Sequence, residues 1–414
     1  MQLQRKDIEL MAPVGSYESL MAAIQGGANA VYFGVEKLNM RSKSSFNFTL
    51  SDLRKIAGIA SSHNLKTYLA LNTILYDEDL ISMREIMDAA KEANITAIIV
   101  SDQSVLQYGR SKGIEIHLST QLNISNAESL SFYSPYADVV VLARELTLDK
   151  IEGINRAIKE NSIMGPSGRL MRTELFIHGA MCMAISGKCY LSLHQYGHSA
   201  NRGECIQVCR REYIVTEKET GKELLIDNQY IMSPKDLCTI SFLDKILASG
   251  VTVLKIEGRA RSPEYVKTTT QCYHEAIQAC VEGTFTPEKI ADWNTRLARV
   301  FNRGFWDGYY LGQPLGEWSN VYGSKATRKK TYVGKVRNYF ARSGIAEILA
   351  ETGTLARGEE ILITGPTTGV IEMIVEDLRI HENPSSDIVK GDLFTIPVKE
   401  PVRRSDKVYK YIPA

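Results

Sequence analysis

Ala30-Val-Tyr-Phe-Gly34, Leu50-Ser-Asp-Leu-Arg-Lys-Ile-Ala-Gly-Ile-Ala-Ser-Ser62 and Lys66-Thr-Tyr-Leu-Ala-Leu-Asn-Thr-Ile-Leu75 follow one another near the start of the chain. The first and third are nearly continuous apolar runs, as in strands buried on both faces. The second sets Leu53, Ile56, Ala57 and Ala60 at helical spacing behind the polar start Ser51-Asp52. Strand, helix, strand in that order predicts a parallel pair joined by a crossover helix. The pattern extends in both directions. Further strand-like runs are Glu9–Val14, Ala97–Ser101, Glu115–Leu118, Ala137–Leu142, Glu174–His178 and Val251–Ile256. Asp79–Ala93 is another amphipathic helix, with Leu80, Met83, Ile86 and Met87 on one face. Eight such strands predict an α/β fold, a TIM-like (β/α)8 barrel, which typically takes about 250 residues. The runner-up is an open doubly wound sheet, but no G-x-G-x-x-G follows the first strand.

The repeat ends near Tyr310, so residues 1–312 are assigned to the barrel. One large excursion, from Cys182 to about Gly250, interrupts it after strand seven. Residues 313–331 carry Gly, Pro, Ser and Asn and read as a linker. From Tyr332 the runs YVGKV, IAEILAET, EEILITGPTTG, VIEMIVEDL and GDLFTIPV are short strands with turn signals, predicting a small C-terminal β-barrel over 332–414.

Composition narrows the class. Of 414 residues, 44% are hydrophobic and 23% charged, which excludes a disordered chain or a rod. Lys+Arg number 49 against 48 Asp+Glu, so any polyanion site must be a local patch. MQLQRKDIELMAPVG is unlike a signal peptide, and no run of eighteen apolar residues exists, so the expectation is a cytoplasmic protein without a membrane partner.

Seven cysteines in such a chain read as free thiols or metal ligands rather than disulfides. Cys182, Cys189, Cys205, Cys209 and Cys238 fall in the one excursion, at the face where barrel active sites sit. Their spacing is neither the paired C-x-x-C of a zinc ribbon nor the ferredoxin run. Iron–sulfur, zinc and inert thiols are the three readings. Cys272 and Cys280 lie in a helical stretch, Pro263–Val281, and read as core packing.

Glu174-Leu-Phe-Ile-His-Gly-Ala-Met-Cys182, Gly187-Lys-Cys189-Tyr-Leu-Ser192, Asn201-Arg-Gly-Glu-Cys205-Ile-Gln-Val-Cys209-Arg210, Ser233-Pro-Lys-Asp-Leu-Cys238 and Leu254-Lys-Ile-Glu-Gly-Arg259 together resemble the signature of the collagenase-like peptidase U32 family. The resemblance covers nearly the whole chain. It implies oxygen-independent hydroxylation with an iron–sulfur cluster rather than proteolysis. One branch of the family makes 5-hydroxyuridine at the tRNA wobble position using prephenate, another hydroxylates a ribosomal RNA cytidine, and a third acts with a partner on ubiquinone precursors. Length and the single C-terminal module look most similar to the tRNA branch. The resemblance therefore implies a [4Fe-4S] cluster, prephenate as co-substrate, tRNA as partner, and a family paralogue as hetero-partner. Its cluster ligands would be Cys182, Cys189, Cys205 and Cys238, with Cys209 the alternative fourth.

The residues supply candidates for the rest. Prephenate carries two carboxylates, and Arg forks match carboxylates, which singles out Arg41, Arg144 and Arg259, with Glu145 and Glu257 as ready structural partners. Asn72 and Gln121 are polar groups expected at strand ends and assigned to substrate binding, and His178 and Glu257 are the catalytic candidates. Between Val321 and Ala346 lie seven cations, Arg328, Lys329 and Lys330 among them, with no acid and with Tyr322, Tyr332, Tyr339 and Phe340 interleaved; this reads as an RNA contact or a solvated linker. Arg202, Arg210 and Arg211 make a second basic patch beside the cysteines. Hydrolytic motifs are absent: His274-Glu275 lacks a second His at i+4, Gly197-His-Ser199-Ala-Asn201 lacks the final Gly of a nucleophile elbow, and there is no Walker loop.

Overall fold

The computed structural model describes residues 4–44, 46–214, 216–221, 232–313, 316–321 and 323–414. Eight parallel strands, β1 (Glu9–Pro13), β2 (Ala30–Gly34), β3 (Lys66–Leu71), β4 (Ala97–Val100), β5 (Glu115–Leu118), β6 (Val139–Val141), β7 (Arg172–Gly179) and β8 (Val253–Ile256), pair in chain order. β8 pairs with both β7 and β1, in registers Leu175↔Leu254 and Leu10↔Leu254, and so closes the barrel. Alternate residues face opposite ways along a strand. One set, with Leu10, Val31, Leu69, Ile98 and Leu254, packs outward against the helices. The other set, with Met11, Ala30, Tyr32, Tyr68, Ala97, Ile99, Val139 and Val253, fills the interior. Both faces are buried, which is why these strands are apolar throughout.

The interior also holds charge. Glu9 accepts from Lys66 at 2.7 Å and from the Tyr68 hydroxyl at 2.5 Å. Above it, Glu174 accepts from Lys255 at 2.8 Å and stands 3.6 Å from His117. Each carboxylate thus meets a cation, as buried charges must.

The excursion after β7 folds back over the barrel mouth. Arg202 joins Asp79, in the loop after β3, and Ile74 donates its N–H to Asn201 O at 3.1 Å. Gly203 packs so closely that a Cβ would sit 2.1 Å from Asn39 O, with φ +82, so only glycine fits there. The excursion returns through a three-residue strand, Asp236–Cys238, antiparallel to the end of β7.

The C-terminal unit is an antiparallel sheet. Its strands run in the order Gly369–Ile374, Glu360–Gly365, Lys407–Pro413, Arg328–Phe340, Ile345–Ala350, Leu393–Pro397, Arg379–Ile380, Asn383–Pro384, beside a separate two-stranded ribbon. Val336, Ile348, Ile361, Phe394 and Val408 form its own core. Its first strand starts at Arg328, inside the stretch assigned to the linker, and the central strand Lys407–Pro413 was not anticipated. The sheet docks on two barrel helices, Tyr17–Gln25 and Pro263–Glu282. Gln25 donates to Thr368 O at 3.0 Å and accepts from Val370 N–H at 2.9 Å, covering the edge of the sheet. Among the described residues, no helix is long and apolar enough to cross a membrane.

Candidate functional site

The C-terminal ends of the strands and the excursion enclose a cavity of about 190 Å³. That is the end of a barrel where loops from successive strands converge. Cys182, Cys189, Cys205 and Cys209 all line it. Burial raises the Cys209 thiol, and the other three cysteines add to that effect against the opposing charge of Arg210. The expected fourth sulfur, Cys238, lies elsewhere. It is buried behind β7, where the Tyr273 hydroxyl approaches it at 3.9 Å and burial pushes it up to about 11. The return strand sets Cys238 beside this aromatic layer, whereas Cys209 lines the cavity. Among the described residues, no three His, Cys, Asp or Glu side chains are grouped tightly enough to hold a metal ion. Cys272 is fully buried and Cys280 packs against the core, away from the cavity.

The cavity is cationic. Among the described residues, Arg41, Arg144, Arg210, Lys255, Arg259 and Arg261 line it against one carboxylate, Glu257. Burial opposes the charge of Glu257, but Arg41, Arg144 and Arg259 outweigh it and hold the carboxyl down at about 2. Arg41 pairs with Glu257 directly, and Tyr32 reaches its other oxygen at 3.1 Å. Arg144 lies over the Phe176 ring at 3.9 Å and donates to Ala180 O at 3.1 Å, yet its Nε is buried without a partner. Arg259 is buried with Nη1 unpartnered, and that burial brings it down to about 10. Glu145, the other partner expected for these arginines, instead faces Asn123 at 3.5 Å. Among the described residues, neither of these two buried nitrogens has a hydrogen-bond acceptor. Asn72 and Gln121 line the same wall, 3.3 Å apart, with Ser119 between them.

His178 is not in the cavity. A register shift between Phe176 and His178 on β7 interrupts the alternation, so His178 does not share the inward face of Phe176. It packs instead among the rings of Tyr265, Tyr273 and Phe305. Burial, with some contribution from the Arg261 charge, lowers it to about 3, so it is neutral when folded. The unfolded chain takes up a proton near pH 6.5 and the folded chain does not, so this stabilisation is complete above pH 6.5 and falls as the pH drops toward 3. Urea unfolding between pH 6 and 4.5 is expected to show a loss smaller by about 1.4 kcal/mol per pH unit in H178F than in the parent. Equal slopes would refute a buried neutral imidazole.

The cations assigned to RNA contact fare differently. Arg202 is held by Asp79 and lies over Tyr76 at 4.0 Å, fastening the excursion to the barrel. Arg328 pairs with Glu360 at 2.6 Å and Glu372 at 2.5 Å, and Lys330 pairs with Glu264 at 2.7 Å. Lys329 is exposed, and Tyr322 lies outside the described residues. Sequence reading missed Tyr32, Lys255 and Arg261 as cavity residues. For Lys255 the signal was present: Val253, Lys255 and Glu257 share one phase of the strand period.

The family model for Peptidase family U32 matches residues 15–320. The chain belongs to peptidase family U32. Relatives within this U32 grouping bear two kinds of name. A "Collagenase" of Porphyromonas gingivalis is 58% identical over 405 residues, covering 98% of each chain. The "tRNA hydroxylation protein P1" of Bacillus subtilis is 32% identical over 405 residues, covering 95% of this chain and 92% of that one. A 23S rRNA 5-hydroxycytidine synthase of Escherichia coli is 34% identical over 317 residues, covering 75% of this chain and 46% of that one. RNA hydroxylation is thus an activity named within the U32 family.

Proposed function

We propose that this chain is a tRNA hydroxylase that converts the wobble uridine to 5-hydroxyuridine without molecular oxygen, using prephenate and a [4Fe-4S] cluster. One observation carries the reading: among the described residues, four cysteines and six cations share a single cavity wall with one carboxylate. Thiolates suit iron–sulfur ligation. Cys182, Cys189, Cys205 and Cys209 are the side chains that would hold the cluster. Such a cluster supplies one-electron chemistry beside the bound substrate.

The remaining residues bind and orient. Arg144 and Arg259, both on the cavity wall, offer forked donors to the two carboxylates of prephenate. Glu257 keeps Arg41 and the Tyr32 hydroxyl in place. Asn72 and Gln121 offer amide groups to the edge of a base splayed out of an anticodon loop. Peptide hydrolysis draws no support from this cavity, since among the described residues no histidine lines it to activate a thiol.

Deleting the gene is expected to remove 5-hydroxyuridine-derived nucleosides from tRNA, read by mass spectrometry of digested tRNA, and the intact gene is expected to restore them. Unchanged nucleosides in a strain with no second pathway would reject the tRNA reading.

A further inference from the structure

Two more depressions adjoin the cavity, of about 560 Å³ beneath the excursion and about 1000 Å³ between the barrel mouth and the C-terminal sheet. Arg261 lines both of them and the cavity too, with its guanidinium 3.6 Å from the centre of the Phe301 ring. Lys43 and Ser44 are likewise shared by the two outer depressions. The three spaces thus lie side by side, with Arg261 as their common wall and the cysteines in the innermost, and are read together as one channel.

The charge along this channel is one-sided. Among the described residues, the smaller depression has five cations on its wall, Lys43 and Arg303 among them, and no carboxylate. The larger one has six cations against Glu18 and Asp406. Asp406 is buried and already accepts from Arg403 N–H at 2.7 Å. Arg404 and Lys407 are exposed, and among the described residues neither has an ion-pair partner. Lys43 is exposed and stands 3.7 Å from Glu204. At the lip stands Phe46, 89% exposed, an aromatic face open to stacking.

A concave, cationic track with an aromatic lip fits a single-stranded polynucleotide, whose phosphates pair with the cations and whose bases stack. A neutral peptide gains little from such charge, and a flat membrane surface does not enter a channel. We infer that this channel is the path of the RNA strand, with phosphates along Lys43, Arg404 and Lys407 and the target base passing Arg261 into the cavity. The inference rests on the RNA reading above and goes beyond it, because it moves the RNA contact from the Arg328–Lys330 run to the seam between the two units.

The test is binding of unmodified tRNA by fluorescence anisotropy over a range of salt, with the full-length parent, K43A/R404A/K407A and K329A. The triple variant is expected to bind at least about tenfold more weakly and to lose about two from the slope of log K against log salt, at roughly 0.7 per single-strand phosphate contact. K329A, off the channel, is expected to bind like the parent. A parent that binds while the triple variant keeps its affinity and slope would overturn the channel but leave the RNA reading intact. A parent that binds no RNA would overturn that reading, and the channel with it.

Discussion

Alanine at Cys209 is expected to strip the anaerobically purified protein of most of its iron and sulfide, and alanine at Cys238 to leave both in place. The reason is geometric. Cys209 shares the cavity wall with Cys182, Cys189 and Cys205, and their charges bear on its ionisation. Cys238 is buried among Tyr273 and its neighbours, and burial keeps its thiol protonated up to about 11. Burial raises both thiols, so position and not acidity separates them: Cys209 stands on the cavity wall with the other three cysteines and Cys238 stands behind β7. Iron and sulfide analysis of the two variants, with the absorbance of the cluster as a second readout, decides between them. An iron-free Cys238→Ala protein that melts like its parent would reverse the assignment.

The second large effect concerns stability. Glu174→Ala is expected to destabilise the fold by about 3–5 kcal/mol, because it leaves Lys255 charged and unpaired inside the barrel. Both side chains are almost wholly buried, so solvent does not rescue the ammonium. The double variant E174L/K255M is expected to regain most of that loss, since apolar residues of similar volume replace the pair. Chemical denaturation of the single and double variants measures this. Hydroxylation is not expected to return in the double variant, because Lys255 lines the substrate cavity. A double variant as unstable as Glu174→Ala would show that the pair itself, rather than the orphaned charge, matters.

The barrel was legible because its cause is local. Ala30–Gly34 and Ala97–Val100 are buried on both faces, and a doubly buried strand has to be apolar residue after residue. The helices Asp52–Ser62 and Leu80–Glu92 announce themselves by one apolar face each. The cysteine excursion was legible as an interruption of that rhythm. The strand Lys407–Pro413 was missed because only its neighbours in the sheet, Arg328–Phe340 and Glu360–Gly365, make it central.

The chain's periodicities, read alone, decide the barrel, the excursion after the seventh strand and the separate β-rich tail. Folding in three dimensions decides which charges and sulfurs remain available for chemistry. The Arg328–Lys330 run has no acid nearby in sequence, yet Glu264, Glu360 and Glu372 arrive from other elements to neutralise Arg328 and Lys330. His178 follows Phe176 by two residues, yet one register shift removes it from the cavity face. Hydrophobic patterning acts between residues a few positions apart, whereas pairing and burial act between atoms a few ångströms apart, and only the closed barrel brings those distant atoms together.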